Sequence, residues 1–240
     1  MIEFKDSVAF QKAVDAISSF ISEGNFRFNE KGISFKAVDP SQIVLVEFTM
    51  PKNSFETFNV EPTLAGVDII EFSKILSRAL PDDKLKLKLT DSEMIIILDS
   101  ELHREFSLPL LEISQADVKI PQQKLDFDCT LQINAKLFKE ALKDASLFGS
   151  SVVLRVKNSK LYIEARGSQG ALHIEAKGTK NIEINAKDEV VSKYSLNFLS
   201  NIVKPASEKI LLELKSDSPM RVSYNIGSAN MTFYLAHMIL

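Results

Sequence analysis

The chain has 240 residues, a formal net charge of −3 and 45% apolar residues, enough to build a sizeable core and too apolar for a disordered polymer. No apolar run approaches the ~18 residues of a membrane helix, and the opening MIEFKDSVAF lacks the basic and apolar regions of a signal peptide. The single cysteine, Cys129, excludes an internal disulfide and a cysteine-based zinc site, and it suits a reducing interior. With so small a net charge, nucleic-acid contact requires basic residues segregated to one face.

A short strand opens the chain. A helix at about 8–22 follows, with the apolar stripe Phe10, Ala13, Val14, Ile17, Phe20 and Ile21. NFRFNE, GISFKAVD and IVLVEFTM then alternate as half-buried strands. Between the last two, Asp39-Pro40-Ser41 is a turn: Asp caps the backbone, Pro presets φ and Ser bonds locally. A second helix at about 68–80 carries Ile69, Phe72, Ile75, Leu76 and Ala79 on one side. KLKLKLT, EMIIILD and HREFSLPL close the half. LEISQADVKIPQQKLD, Leu111 to Asp126, has Pro, three Gln and no helical period, and reads as an extended linker. Beyond it come helices at about 135–147 (Phe138, Ala141, Leu142, Ala145) and 194–204 (Leu196, Leu199, Ile202, Val203), again set among strands.

The second half repeats the first. At an offset of 128, Phe10 falls on Phe138, Ala13 on Ala141, Val14 on Leu142, Phe20 on Phe148, Phe26 on Leu154, Phe28 on Val156, Ile33 on Leu161 and Phe35 on Ile163. At an offset of 126, Phe72 falls on Phe198, Leu76 on Ile202, Met94 on Met220 and Ile96 on Val222. An ordered series of this kind indicates duplication. The expected plan is α+β: two duplicated domains, 1–112 and 127–240, each of antiparallel sheets with two helices, joined by a linker at 113–126. The helices are too few to cover both faces of parallel sheets.

No catalytic constellation is legible. The sequence has no G-x-G-x-x-G, no Walker loop and no H-E-x-x-H. His103, His173 and His237 have no ligand spacing, and no nucleophile elbow supports a Ser/His/Asp set. The outer helix faces instead show short polar side chains with sparse cations: Lys12, Ser18 and Ser22; Ser73, Lys74, Ser77 and Arg78; Lys136, Lys139 and Lys143; Lys193, Asn197, Ser200, Asn201 and Lys204. A solvated face accounts for them, and so does loose, sequence-blind phosphate contact. No aromatic residues are interleaved for base stacking. An α+β enzyme whose site is not legible in sequence is the rival reading.

Several segments resemble one family. GISFKAVDPSQIVLVEF resembles a G-[IV]-x-[LF]-x-[AS]-[MV]-D-x-[SA]-x-[IV]-x-L segment of the proliferating cell nuclear antigen type of DNA sliding clamp, and the chain looks archaeal. VDIIEFSKILSRALPDD resembles that family's second-helix region, KDASLFGSSVVL its third helix and exit, and SDSPMRVSYNI with MTFYLA its C-terminal strands. The family usually ends Leu-Ala-Pro-[Lys/Arg]-Ile followed by acids. This sequence reads YLAHMIL, with His237 in the proline position, and Ser18 and Ser77 stand where some relatives have basic residues.

The resemblance implies a clamp fold that assembles into a closed ring, no enzyme activity and no cofactor. It implies DNA-facing Lys12, Lys74, Arg78, Lys139, Lys143 and Lys204. It implies a partner-peptide pocket of Val38, Gln42, Ile43, Leu45, Val118, Ile120, Pro121, Phe127, Pro219, Tyr234 and Ala236. The subunit interface would pair edge strand Leu102–Leu110 with Gly170–Gly178 of the next subunit, through Leu102, Arg104, Phe106, Leu108, Leu172 and Ile174. Implied partners are double-stranded DNA, DNA polymerase, clamp loader, flap endonuclease and DNA ligase, in a homotrimer or as one subunit of a heterotrimer, without membrane contact. The expected location is cytoplasmic and DNA-associated, or nuclear in a eukaryote.

Overall fold

A computed structural model describes residues 1–114 and 126–240. By its contacts the chain forms two compact units. One holds 1–40, 46–114 and 225–231 among the described residues; the other holds 41–45, 126–224 and 232–240. Segments 41–45 and 225–231 thus each sit with the other half of the sequence. Most of the expected linker, 113–126, lies outside the described residues.

In the first half of the sequence, β1 (Ile2–Phe4), α1 (Ser7–Ser18), β2 (Glu23–Asn29), β3 (Gly32–Val38) and β4 (Val44–Pro51) come first. A 3-10 turn, β5 (Phe55–Phe58), β6 (Thr63–Asp68) and α2 (Ile69–Leu76) follow, and β7 (Lys84–Leu89), β8 (Glu93–Asp99) and β9 (His103–Pro109) complete it. Strand orders are β5-β1-β7-β8-β9 and β4-β3-β2-β6. The second half of the sequence runs β10 (Cys129–Asn134), α3 (Ala135–Ser146), β11 (Ser151–Lys157), β12 (Lys160–Gly167), β13 (Gly170–Lys177), β14 (Ile182–Ala186), β15 (Val190–Ser195), α4 (Leu196–Val203), β16 (Lys209–Leu214), β17 (Met220–Ile226) and β18 (Ala229–Leu235). Its orders are β14-β10-β16-β17-β18 and β13-β12-β11-β15, the same plan element for element. In the first half two strands, β5 and β6, were not read from the sequence; they are short, with Pro62 between them and Gly66 inside β6.

Helix starts follow cap chemistry. Asp6 accepts from the Ala9 N–H, Asp68 from that of Glu71, and Asn134 from those of Lys136 and Leu137. Helix ends fall short of expectation. The Ile17 carbonyl takes the N–H groups of both Phe20 and Ile21, which closes α1 at Ser18. Pro205, with no N–H to extend the ladder, follows the C-cap Lys204 and ends α4 at Val203.

The offset-128 equivalences hold in three dimensions: Phe10 and Phe138, Phe26 and Leu154, and Phe35 and Ile163 are all buried. The offset of 126 needs correction in the helix. Phe72 is fully buried, whereas its expected match Phe198 is only half-buried; Leu199 takes the core position, 127 residues on. Strand β6 and helix α2 correspond to β15 and α4 at that same offset of 127, while Met94 and Met220 keep the offset of 126. The first core is a phenylalanine cluster in which Phe10 lies 4.4 Å from Phe4 and 5.9 Å from Phe72.

Candidate DNA-facing helices, partner pocket and subunit edges

Helices α1 and α2 pack together in the first unit, and α3 and α4 in the second. Lys12, Lys74, Lys143 and Lys204 are exposed. Lys74 and Lys143 each lie on a glutamate of their own helix, Glu71 at 2.6 Å and Glu140 at 2.8 Å. These exposed i,i+3 pairs temper the positive character of both helices. Such a surface suits weak, screened phosphate contact.

Lys139 is used differently from the expectation. Its Nζ donates to the carbonyls of Lys204, at 2.7 Å, and Ala206. Helix α4 has no basic residue in its last turn, so a side chain from α3 serves the carbonyl of its C-cap, Lys204, and that of Ala206 just beyond it. Burial, and then nearby Lys143, push the Lys139 ammonium below its ordinary value. Tyr224 donates to the Ile202 carbonyl at 2.6 Å, and burial raises its phenol.

Arg78 is exposed beyond the end of α2, and its carbonyl accepts from Arg104 Nη1 at 3.0 Å. Arg104 Nη2 bonds the fully buried carboxylate of Asp83. The Ser100 hydroxyl bonds the same carboxylate, as does the Leu80 N–H at 2.6 Å. The Ser100 hydrogen bond, then the Leu80 N–H and Arg104, hold Asp83 below the usual carboxylate range against the opposing effect of burial. Arg104 was expected to offer its side chain to a neighbouring subunit. It turns inward because a buried carboxylate requires a counter-charge.

The partner pocket is partly assembled in the second unit. The Ala236 N–H donates to the Ile43 carbonyl at 2.9 Å. Gln42 is exposed with left-handed backbone (φ 58°), Ile43 is half-buried, and Leu45 is 9% exposed. Tyr234 and Pro219 are half-buried. Tyr194 donates to the Ser218 carbonyl at 3.1 Å and Ser192 to that of Lys215 at 2.9 Å, which fixes the turn before Pro219. Val38, in the first unit, ends β3 and is exposed. Val118, Ile120 and Pro121 lie outside the described residues.

The sequence reading missed Arg221 and Glu213 in this region. The Arg221 guanidinium grips the Glu213 carboxylate with two nitrogens, bonds Tyr234 and stacks 5.0 Å from the centre of the Phe127 ring. Glu213 and Arg221 are directly opposed across β16 and β17. The hairpin signal ELKSDSPMR, with complementary charges on its two arms, could have revealed them.

The two strands expected at the subunit interface are both sheet edges. Among the described residues β9 pairs only with β8, and β13 only with β12. Phe106, Leu172 and Ile174 remain half-buried, Leu108 is buried and Leu102 exposed. Among the described residues no cluster of His, Cys, Asp and Glu could hold a metal ion, and no helix is long and apolar enough to cross a membrane.

Comparison with known proteins gives a consistent result. Residues 1–120 match the model of the proliferating cell nuclear antigen N-terminal domain, and residues 119–239 that of its C-terminal domain. A DNA polymerase sliding clamp of Pyrococcus furiosus is 30% identical, covering 98% of this chain and 96% of that protein. One of Thermofilum pendens is 28% identical, covering 97% and 96%. The crystal structure of this antigen from Thermococcus kodakaraensis superposes with a TM-score of 0.93 at 23% identity, covering 99% of each chain. That from Entamoeba histolytica gives 0.91 at 23% identity, covering 99% and 98%. The enzyme reading finds no support among these relatives.

Proposed function

The chain belongs to the proliferating cell nuclear antigen family, and on that premise we propose that it is a DNA sliding clamp. Three copies close a ring around duplex DNA and tether DNA polymerase as a processivity factor. The protein contributes no catalysis of its own. Held topologically, the DNA needs only weak, sequence-blind contact, which Lys12, Lys74, Lys143 and Lys204 supply. The pocket around Ile43, Leu45, Pro219, Tyr234 and Ala236, completed by Val118, Ile120 and Pro121, takes short peptides from polymerase, flap endonuclease and DNA ligase, and the clamp loader opens the ring. The domains are 1–112 and 127–240, joined by 113–126. The working location is the cytoplasm, on DNA.

One observation carries the ring. In the duplicated plan β18 is the counterpart of β9, and β4 of β13. Within the first unit Asn230 of β18 meets Thr49 of β4, and within the second Ala236 meets Ile43, whereas among the described residues β9 and β13 each keep an open edge. An open edge on a soluble protein has to be covered, and a head-to-tail contact between unlike edges generates a closed ring when its rotation fits. The test is the mass of the purified chain by light scattering, with retention on circular duplex DNA. A trimer that stays on circles and runs off linearised DNA is the expected result. A monomer with no retention on circles refutes the reading.

A further inference from the structure

We propose that the joint between subunits has a single register. His103 of one subunit opposes Glu175 of the next, Glu105 opposes His173, and Glu101 opposes Lys177. This inference rests on the clamp reading and specifies how its ring closes on a second copy of this chain.

The duplicated plan supplies the register. On the β9 side, Glu105 opposes Ile97. Ser223 is the counterpart of Ile97, 126 residues on, and its hydroxyl bonds Thr232 at 3.2 Å. Thr232 is therefore the counterpart of Glu105, 127 residues on, as Phe233 is of Phe106 and Asn230 of His103. On the β13 side, Ile174 opposes Ile163, the counterpart of Phe35. The Lys36–Glu47 ion pair (2.9 Å) and the Lys52 N–H on the Lys31 carbonyl (2.8 Å) set Phe48 opposite Phe35. Phe48 therefore corresponds to Ile174, 126 residues on, Glu47 to His173 and Thr49 to Glu175.

The contacts between β18 and β4 then serve as the template. In the first unit Asn230 Nδ2 donates to Thr49 Oγ1 at 3.4 Å, and in the second the Ala236 N–H donates to the Ile43 carbonyl. The Asn230–Thr49 contact maps onto His103 and Glu175. Ala236 maps onto Pro109 and Ile43 onto Gln169, which is the same register.

The surface charges select that register independently. Moving the strands by two residues sets Glu105 against Glu175 and His103 against Lys177. Moving them the other way sets Glu101 against Glu175 and His103 against His173. Only the proposed alignment gives a carboxylate opposite a cationic or N–H-donating side chain at all three places. His103 and His173 are each already oriented from within their own chain, with Nδ1 3.1 Å from Asp99 and 3.0 Å from Glu164. Backbone direction agrees as well. The Leu110 N–H bonds the Ser92 carbonyl on the β8 side at 2.8 Å, so by strand alternation His103, Glu105 and Ser107 aim theirs at the open edge. Pro109, with no N–H, ends the ladder.

Cysteine cross-linking of the full chain tests the register, because Cys129 is buried and the substituted positions are exposed. Opposed residues stand about 5.5 Å apart at Cα. A pair two residues out of register stands at roughly 7–8 Å, beyond ordinary disulfide reach. Glu105→Cys with His173→Cys is expected to give a covalent trimer under mild oxidation, at least about tenfold faster than Glu105→Cys with either Glu175→Cys or Ala171→Cys. Charge exchange is a second arm: Glu105→Lys alone weakens the trimer, and adding His173→Glu restores it. Faster cross-linking of either slipped pair, or no restoration, overturns the register and leaves the clamp reading intact. A wild-type chain that stays monomeric and is not retained on circular DNA overturns the clamp reading together with the joint.

Discussion

Replacing Lys139 with methionine separates two uses of one lysine. The side chain keeps its length and apolar stem and loses its ammonium. In the structure that ammonium serves the carbonyls of Lys204 and Ala206 at the end of α4. A hydrogen bond from a charged donor contributes ~1.5–3 kcal/mol when buried. Lys139 is only half-buried, and water can reach the carbonyl of exposed Lys204, so the two bonds together are expected to contribute about 1–2 kcal/mol. Lys139→Met should lower the stability from urea unfolding, followed by circular dichroism, by that amount. DNA retention at moderate salt should stay close to wild type, because the ammonium was never free to meet a phosphate. Unchanged stability with a clear loss of retention would refute the reasoning and return Lys139 to the DNA.

Four further outcomes are expected. Changing Lys12, Lys74, Lys143 and Lys204 together to alanine should reduce the salt dependence of DNA retention by up to about four units of log–log slope, measured from 50 to 200 mM salt, while any single change has a small effect. Leu45→Ala with Tyr234→Ala should weaken a polymerase tail peptide at least roughly tenfold by calorimetry with the trimer intact; wild-type affinity would place the docking site elsewhere. Ser107→Pro removes a donor aimed at the open edge and should yield monomers by light scattering, whereas Phe106→Pro, whose N–H faces β8 by strand alternation, should also destabilise the sheet. Asp83 has a folded-state carboxyl value below its unfolded one, so its contribution is present above the unfolded value near 4 and is lost as pH falls through the lower folded value. Asp83→Asn should therefore flatten the acid branch of the stability curve measured by urea midpoint below pH 5.

The sequence alone determined what depends on neighbours in the chain. Period-2 alternation in KLKLKLT marked a strand because successive side chains point to opposite faces, and the stripe Phe10, Ala13, Val14 and Ile17 marked a helix because residues three and four apart share a face. The duplication was legible through Phe10 and Phe138 because both halves bury the same positions. It slipped by one residue at Phe198 because adjacent apolar residues, Phe198 and Leu199, satisfy the same pattern until packing chooses between them. Only the tertiary structure decided which side chain met which distant group. Lys139 and Lys204 are 65 residues apart, and nothing local tells a capping lysine from a phosphate-binding one. Arg104 could face a neighbour until Asp83, fully buried 21 residues earlier, drew it inward. The same holds for the open edges: β9 and β13 alternate like any other strand, and they are edges only because no further strand among the described residues lies beside them.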